Sequence, residues 1–211
     1  MNTTTPLNSL RLEGKYVRLI PLEMGHAGAL TKAANISRKI FSHTSGRVNI
    51  ETSLRHIQMA NYLLLTRSAI PLAIEEKSRG KIIGSTGFLN LEYWDISGGH
   101  NLSRAENIPT VVDIGSTWFG EPDHEPKMVL DSKVCLLNHA FKEWDVLRVG
   151  FKTDVRNLKS RRVIERIGAK LEGVSRAHSQ NYDREVSNTA FYSILKPEWL
   201  KLKRQPRSIF R

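Results

Sequence analysis

The stretch VRNLKSRRVIERIGAKLEGV, residues 155–174, decides the fold. Within it, LKSRRVIERI (158–167) reads as a short helix, and Gly168 supplies the left-handed residue that stops it. Asn157 and Ser160 stand where that helix begins, positions that both residue types favour as caps. Upstream, RVGFKTDV (148–155) reads as a strand with Val149, Phe151 and Thr153 on one face. Downstream, AKLEGVSRAH and SNTAFYSIL read as a strand pair joined around Asn181, Tyr182 and Asp183. A helix lodged between strands implies a crossover, so the sheet is at least partly parallel.

Further toward the N-terminus, DSKVCLLNHAFKEWD (131–145) is the clearest amphipathic helix. Its Val134, Leu137, Phe141 and Trp144 recur at i, i+3, i+7 and i+10, with Asp131 or Ser132 as the expected cap. TVVDIGSTWFG (110–120) precedes it as a strand. PLAIEE (71–76) and KIIGSTGFLNLE (81–92) are apolar strands joined by KSRG, where Gly80 can take a positive φ. KYVRLI (15–20) alternates Val17 and Leu19 before Pro21 closes it, and helical segments follow at about 22–34 and 51–67. The second carries Leu54, Ile57, Tyr62 and Leu65 near helical spacing, with a loop at Thr44–Gly46 between the two. YWDISGGHNLSRAENIP (93–109) has no period, and a connection this long reads as a mobile flap over a cleft. The order β-α-α-β-β-β-α-β-α-β-β predicts a single α/β domain over 10–200, with an arm at 1–9 and a basic tail at 201–211. Its sheet is mixed, with about seven strands and helices on both faces.

Length and composition agree. The chain has 211 residues, 40% hydrophobic and 25% charged, which is enough for one sizeable core and unlike a disordered segment. Its longest apolar run is the short Tyr62–Leu65, so a membrane span is not expected, and MNTTTPLNSLRLEG lacks the layout of a secretory leader. Cys135 is the single cysteine; no disulfide can form within the chain, which fits a reducing, cytoplasmic setting. The net charge of +11 attracts nucleic acid, anionic lipid or a phosphate-rich cofactor alike. No interleaving of aromatic and basic residues marks an RNA-reading strand, so nucleic acid stays open without a motif behind it. The sequence leaves oligomer formation open as well.

Common catalytic signatures are missing. There is no GxxxxGK[ST] and no proper GxGxxG; Gly80, Gly84 and Gly87 fall in a hairpin, where close packing explains them better. The seven histidines are scattered without a cysteine or HExxH partner, so no metal is expected. Cys135, between Val134 and Leu136, reads as a packed thiol.

Taken together, IGSTWFG (114–120), LLNHAF (136–141), RVGFKTDVRNLKSRRVIERIGAKLEG (148–173) and TAFYSIL (189–195) resemble the GNAT superfamily of N-acetyltransferases. The nearest branch is the one that acetylates ribosomal-protein N-termini. VRLIPL and IIGSTGF match in order too, so the likeness spans about residues 10–200. The resemblance implies a sheet splayed between the strands at 110–120 and 148–155, with acetyl-CoA in the opening as co-substrate. The pantetheine amides would pair with the first strand's edge, placing Ile114, Ser116 and Trp118 at the cofactor. The pyrophosphate would rest at the start of the next helix. Asn157 and Ser160 match the family's N-x-x-S, which implies cofactor binding by Asn157 and protonation of the leaving thiolate by Ser160.

Two departures qualify the likeness. Where the family carries a Q/R-x-x-G-x-G/A run, this sequence has HEPKMV (124–129), and no glycine lies between Gly120 and Gly150. Glu121, Asp123 and Glu125 put carboxylates where a pyrophosphate is expected, leaving His124 and Lys127 to offset them. Ser179 stands about where related ribosomal enzymes carry a carboxylate, with His178 and Asp183 close by in sequence. Glu92, Asp95 and Asp113 are the other carboxylates near the cleft. The expected activity is acetyl transfer from acetyl-CoA to a primary amine of a peptide, protein or small molecule. The competing expectations are a degenerate domain that only binds a ligand or partner, and an RNA- or ribosome-associated protein.

Overall fold

A computed structural model describes residues 7–36, 48–94, 108–120, 126–180 and 185–204. Strand β1 (Leu12–Glu13) and strand β2 (Val17–Pro21) form the first hairpin, and β2 buries Val17 and Leu19 as its alternation predicts. Helix α1 (Ala27–Ile36) and helix α2 (Ile50–Leu65) follow, the second capped by Asn49 Oδ1 accepting the N–H of Thr52 at 2.8 Å. Strand β3 (Ala69–Glu76) turns into strand β4 (Lys81–Glu92) through Gly80, whose φ of 60° is the one its turn requires. Strand β5 (Val111–Phe119) returns antiparallel along β4.

Helix α3 (Pro126–Asn138) runs on into a π-helical turn, His139–Glu143, and leads to strand β6 (Arg148–Asp154), parallel to β5. Helix α4 (Leu158–Arg166), the strand pair β7 (Lys170–Gln180) and β8 (Val186–Leu195), and helix α5 (Lys196–Arg204) complete the chain. The sheet has eight strands in the order β1-β2-β3-β4-β5-β6-β8-β7.

Helices cover both faces. Leu30 of α1 and Ile57 of α2 pack on Ala73, Ile20 and Trp118 of one face. Leu136 and Leu137 of α3, Ile164 of α4 and Trp199 of α5 join Leu19, Phe88, Val112, Val149 and Tyr192 in the larger core on the other. None of these helices is long and apolar enough to cross a membrane.

The structure differs from the sequence reading at three places. The sheet gains β1, too short to show a period. After β8, where no helix was expected, KPEWLKLKR forms α5, which buries Trp199 against Phe141 at 5.9 Å between ring centroids. The amphipathic helix is already formed at Pro126, its first described residue, so Asp131 lies inside it. Asp131 is no cap because its carboxylate is used elsewhere: it accepts N–H groups from Lys15, Tyr16 and Val17 at 3.1, 2.7 and 3.0 Å, fixing the β1–β2 turn to α3. Most of the aperiodic 93–109 segment and most of the acidic loop lie outside the described residues.

Candidate active site

The sheet opens where two parallel strands part. β5 and β6 pair only at Val111↔Arg148, Val112↔Val149 and Asp113↔Gly150. Beyond that point β5 stays paired with β4 as far as Phe119, while β6 stays with β8 through Asp154. β5 is bent there by an irregularity opposite Ser85–Gly87, and Ser116 sits in it with a left-handed φ of 49°. A V-shaped cleft results, its apex at Asp113 and Gly150.

Both faces of the sheet send ionisable side chains to the cleft: Asp113 and Arg148, both beside Gly150, on one, and Lys133 on the other. Asp113 shares a face with its partner Leu89 and with Trp118, the face that α1 and α2 cover. Its Oδ2 accepts a hydrogen bond from Asn90 Nδ2 at 2.7 Å, and Oδ1 lies against the α-carbon of Gly150. Lys133 comes from α3 on the opposite face and is only 6% exposed. Its Nζ donates to Thr117 Oγ1 of β5 at 2.6 Å and stands 5.9 Å from the ring centroid of Phe151, the β6 residue just past the last pair. Thr117 Oγ1 is in turn 2.7 Å from Thr86 Oγ1 of β4. Burial alone pushes the Lys133 amine from 10.5 down to about 7.

The residues singled out from sequence fall around the same cleft in different ways. Ile114 turns its side chain into the core, 2% exposed, so only its backbone faces the opening. Ser116 marks the bend. Trp118 packs its ring with the α1–α2 cluster. Lys127 lies in the first turn of α3 with Nζ 4.9 Å from the Tyr16 ring centroid. Asn157 caps α4: its Oδ1 accepts the N–H of Ser160 at 3.0 Å. That bond leaves the amide nitrogen and the second lone pair of Oδ1 for any role toward a cofactor.

Other candidates are accounted for differently. Glu92 Oε2 accepts the indole N–H of Trp94 at 2.8 Å. Ser179, at the expected carboxylate position, joins a hydroxyl cluster with Ser187 and Thr189 at 2.8 and 3.3 Å, and His178 Nδ1 meets Thr189 Oγ1 at 3.1 Å. Cys135 is buried, and desolvation with Asp131 nearby pushes its thiol up to about 12, which makes it inert as a nucleophile. Asp95, His124 and Asp183 lie outside the described residues. Among the described residues no group of His, Cys, Asp and Glu gathers that could hold a metal ion.

The cleft suits a long, thin ligand that ends in a reactive group. An exposed strand edge takes an extended chain of amides by added-strand pairing. Past Asp113, β5 turns such an edge toward the opening. The first described turn of α3 offers N–H groups suited to a phosphate. These features fit acetyl-CoA. Lys133 is the site residue that periodicity missed, and its one sequence signal is a lysine set between the buried Leu130 and Leu137.

Comparison with known proteins follows from this geometry. The family described as "Acetyltransferase (GNAT) domain" matches residues 17–170. No curated protein matches the chain. A GCN5-related N-acetyltransferase from Brucella melitensis superposes with a TM-score of 0.78 at 22% identity, over 99% of this chain and 90% of that one. A provisionally assigned ribosomal-protein-serine acetyltransferase from Vibrio cholerae gives 0.71 at 13% identity, over 91% and 99%. The Microcin C7 self-immunity acetyltransferase MccE, solved with acetyl-CoA and AMP, gives 0.69 at 20% identity, over 86% and 93%. Likeness at these identities speaks to the fold.

Proposed function

Because the chain belongs to the GNAT acetyltransferase family, an acetyl-CoA-dependent group of N-acetyltransferases, we propose that it acetylates a primary amine by direct attack in the cleft between β5 and β6. The observation that carries this reading is the early end of the parallel pairing at Asp113↔Gly150. It leaves one opening reached from both faces of the sheet. Acetyl-CoA supplies the activated acyl group when bound. The chain's own residues must hold it, admit the amine and move protons.

On the cofactor side, the backbone of Ile114 and Ser116 would receive the pantetheine amides. Lys127 and the first turn of α3 would receive the phosphates, and Asn157 and Ser160 would border the thioester end. Trp118 would act through packing, holding β5 against α1 and α2. On the acceptor side, Asp113 is the described carboxylate at the apex, oriented by Asn90. It would take the proton that the attacking amine gives up, directly or through one water. A peptide N-terminus is the favoured acceptor, since the sequence likeness runs to the branch acting on ribosomal-protein N-termini. A reduced, buried Cys135 suits a cytoplasmic setting.

The test is calorimetry with acetyl-CoA followed by transfer of labelled acetyl to peptides with free or blocked N-termini. Binding and labelling of the free peptides alone are expected, with Asp113→Asn lowering turnover about 100-fold. Absence of binding at millimolar acetyl-CoA would overturn the reading and favour a degenerate domain.

A further inference from the structure

We infer that Lys133 is the proton donor of the cleft, the group that hands a proton to the departing sulfur of CoA. The inference rests on the acetyl-CoA reading above, and the sequence likeness had given this role to Ser160. Two features of position support it. Lys133 enters the cleft from the face opposite Asp113, bonding Thr117 further along β5. Its Nζ lies between Thr117 of β5 and the ring of Phe151, the first β6 residue beyond the pairing, so it faces the gap where the two strands have parted.

A purely structural lysine would be expected to meet a carboxylate, because an unpaired buried charge is strongly disfavoured. Lys133 meets a hydroxyl and an aromatic face instead. On α3 itself, Asp131 is committed to the N–H groups of Lys15, Tyr16 and Val17, and Cys135 is held as a thiol. β5 and β6 turn Asp113 and Gly150 to the other face, β4 offers Thr86, and burial holds His139 of the π-helical turn neutral at about 4. Burial is accordingly the cause that sets this amine's proton affinity. An ammonium of about 7 is a stronger acid than an ordinary thiol at about 8.5, so transfer to sulfur runs downhill.

The step balances. As the acetyl carbon bonds to the acceptor nitrogen, the C–S bond breaks and its electron pair stays on sulfur. An N–H bond of Lys133 breaks and that proton joins the sulfur, leaving CoA as the thiol and Lys133 as the neutral amine. Lys133 then regains a proton from water, while the proton shed by the acceptor nitrogen leaves by way of Asp113.

The pH dependence of turnover, set beside calorimetry with CoA, tests this. Wild-type turnover should fall as pH rises through about 7, where Lys133 loses its proton. Lys133→Met should remove that alkaline limb and lower turnover about 100-fold, whereas Ser160→Ala should keep the limb. Wild-type protein that binds CoA and turns over with no such limb overturns the assignment by itself, whether or not the variants fold. A limb retained in Lys133→Met overturns it too. Failure of CoA to bind at all overturns the acetyl-CoA reading with it.

Discussion

Asp131 Oδ2 receives the N–H of Tyr16 at 2.7 Å and that of Val17 at 3.0 Å, so one carboxylate on α3 closes a turn 114 positions away in the chain. Replacing it by alanine strands these donors in a partly or fully buried setting. Asp131→Ala should destabilise the protein by about 2–4 kcal/mol, and Asp131→Asn by less, since one side-chain oxygen survives. Chemical denaturation measures both.

Lys133→Met should stabilise the fold, because an apolar chain of similar length replaces a buried amine. The gain should be about 1–4 kcal/mol near pH 6. The sign follows from proton counting. The folded state holds this amine at about 7 against 10.5 for a free lysine, so between those values the unfolded chain binds more protons. Wild-type stability from this group therefore rises with pH across that window, and the penalty is complete below it. The melting-temperature difference between variant and wild type should be largest at pH 6 and fade toward pH 10. A difference that does not vary with pH would contradict this.

Gly150→Ala puts a methyl group onto Asp113 Oδ1. The carboxylate must swing away from its bond with Asn90. Turnover should fall about tenfold or more, while affinity for acetyl-CoA, which the proposal rests on the β5 backbone and α3, changes little. Steady-state kinetics set beside calorimetry separate the two.

Asn157 can be dissected by two substitutions. Asn157→Asp keeps an oxygen for the Ser160 N–H and should preserve the melting temperature, yet lose the amide donor and weaken CoA binding. Asn157→Ala should lose both, with about 0.5–2 kcal/mol of stability. Equal CoA affinity in all three proteins would restrict Asn157 to capping.

Much of the architecture was legible because local chemistry and tertiary use coincide. β4 occupies 81–92 as its KSRG turn and apolar run indicate, and Gly168 ends α4 with a φ of 92°. Legibility failed where a side chain serves something distant. Asp131 looks like a cap by residue type, but its partners belong to the first hairpin. Lys133 was hidden for a related reason: a charge on an apolar stripe gives no period, and its meaning depends on Thr117 and Phe151 brought together by the sheet. The parting of β5 from β6 has no signature in either strand alone. It came from family likeness, and the register located it at Asp113.

The placement of β8 between β6 and β7 has a consequence for how the molecule is made. During synthesis β6 and β7 emerge before the strand that joins them. Until Val186–Leu195 leaves the ribosome, β6 exposes an open edge and β7 has no neighbour. The nascent chain thus carries two unsatisfied strands late into translation, when edge-to-edge association with other chains is a hazard. A transcript truncated just before residue 186 should yield an aggregation-prone product, although it retains both Asp113 and Lys133.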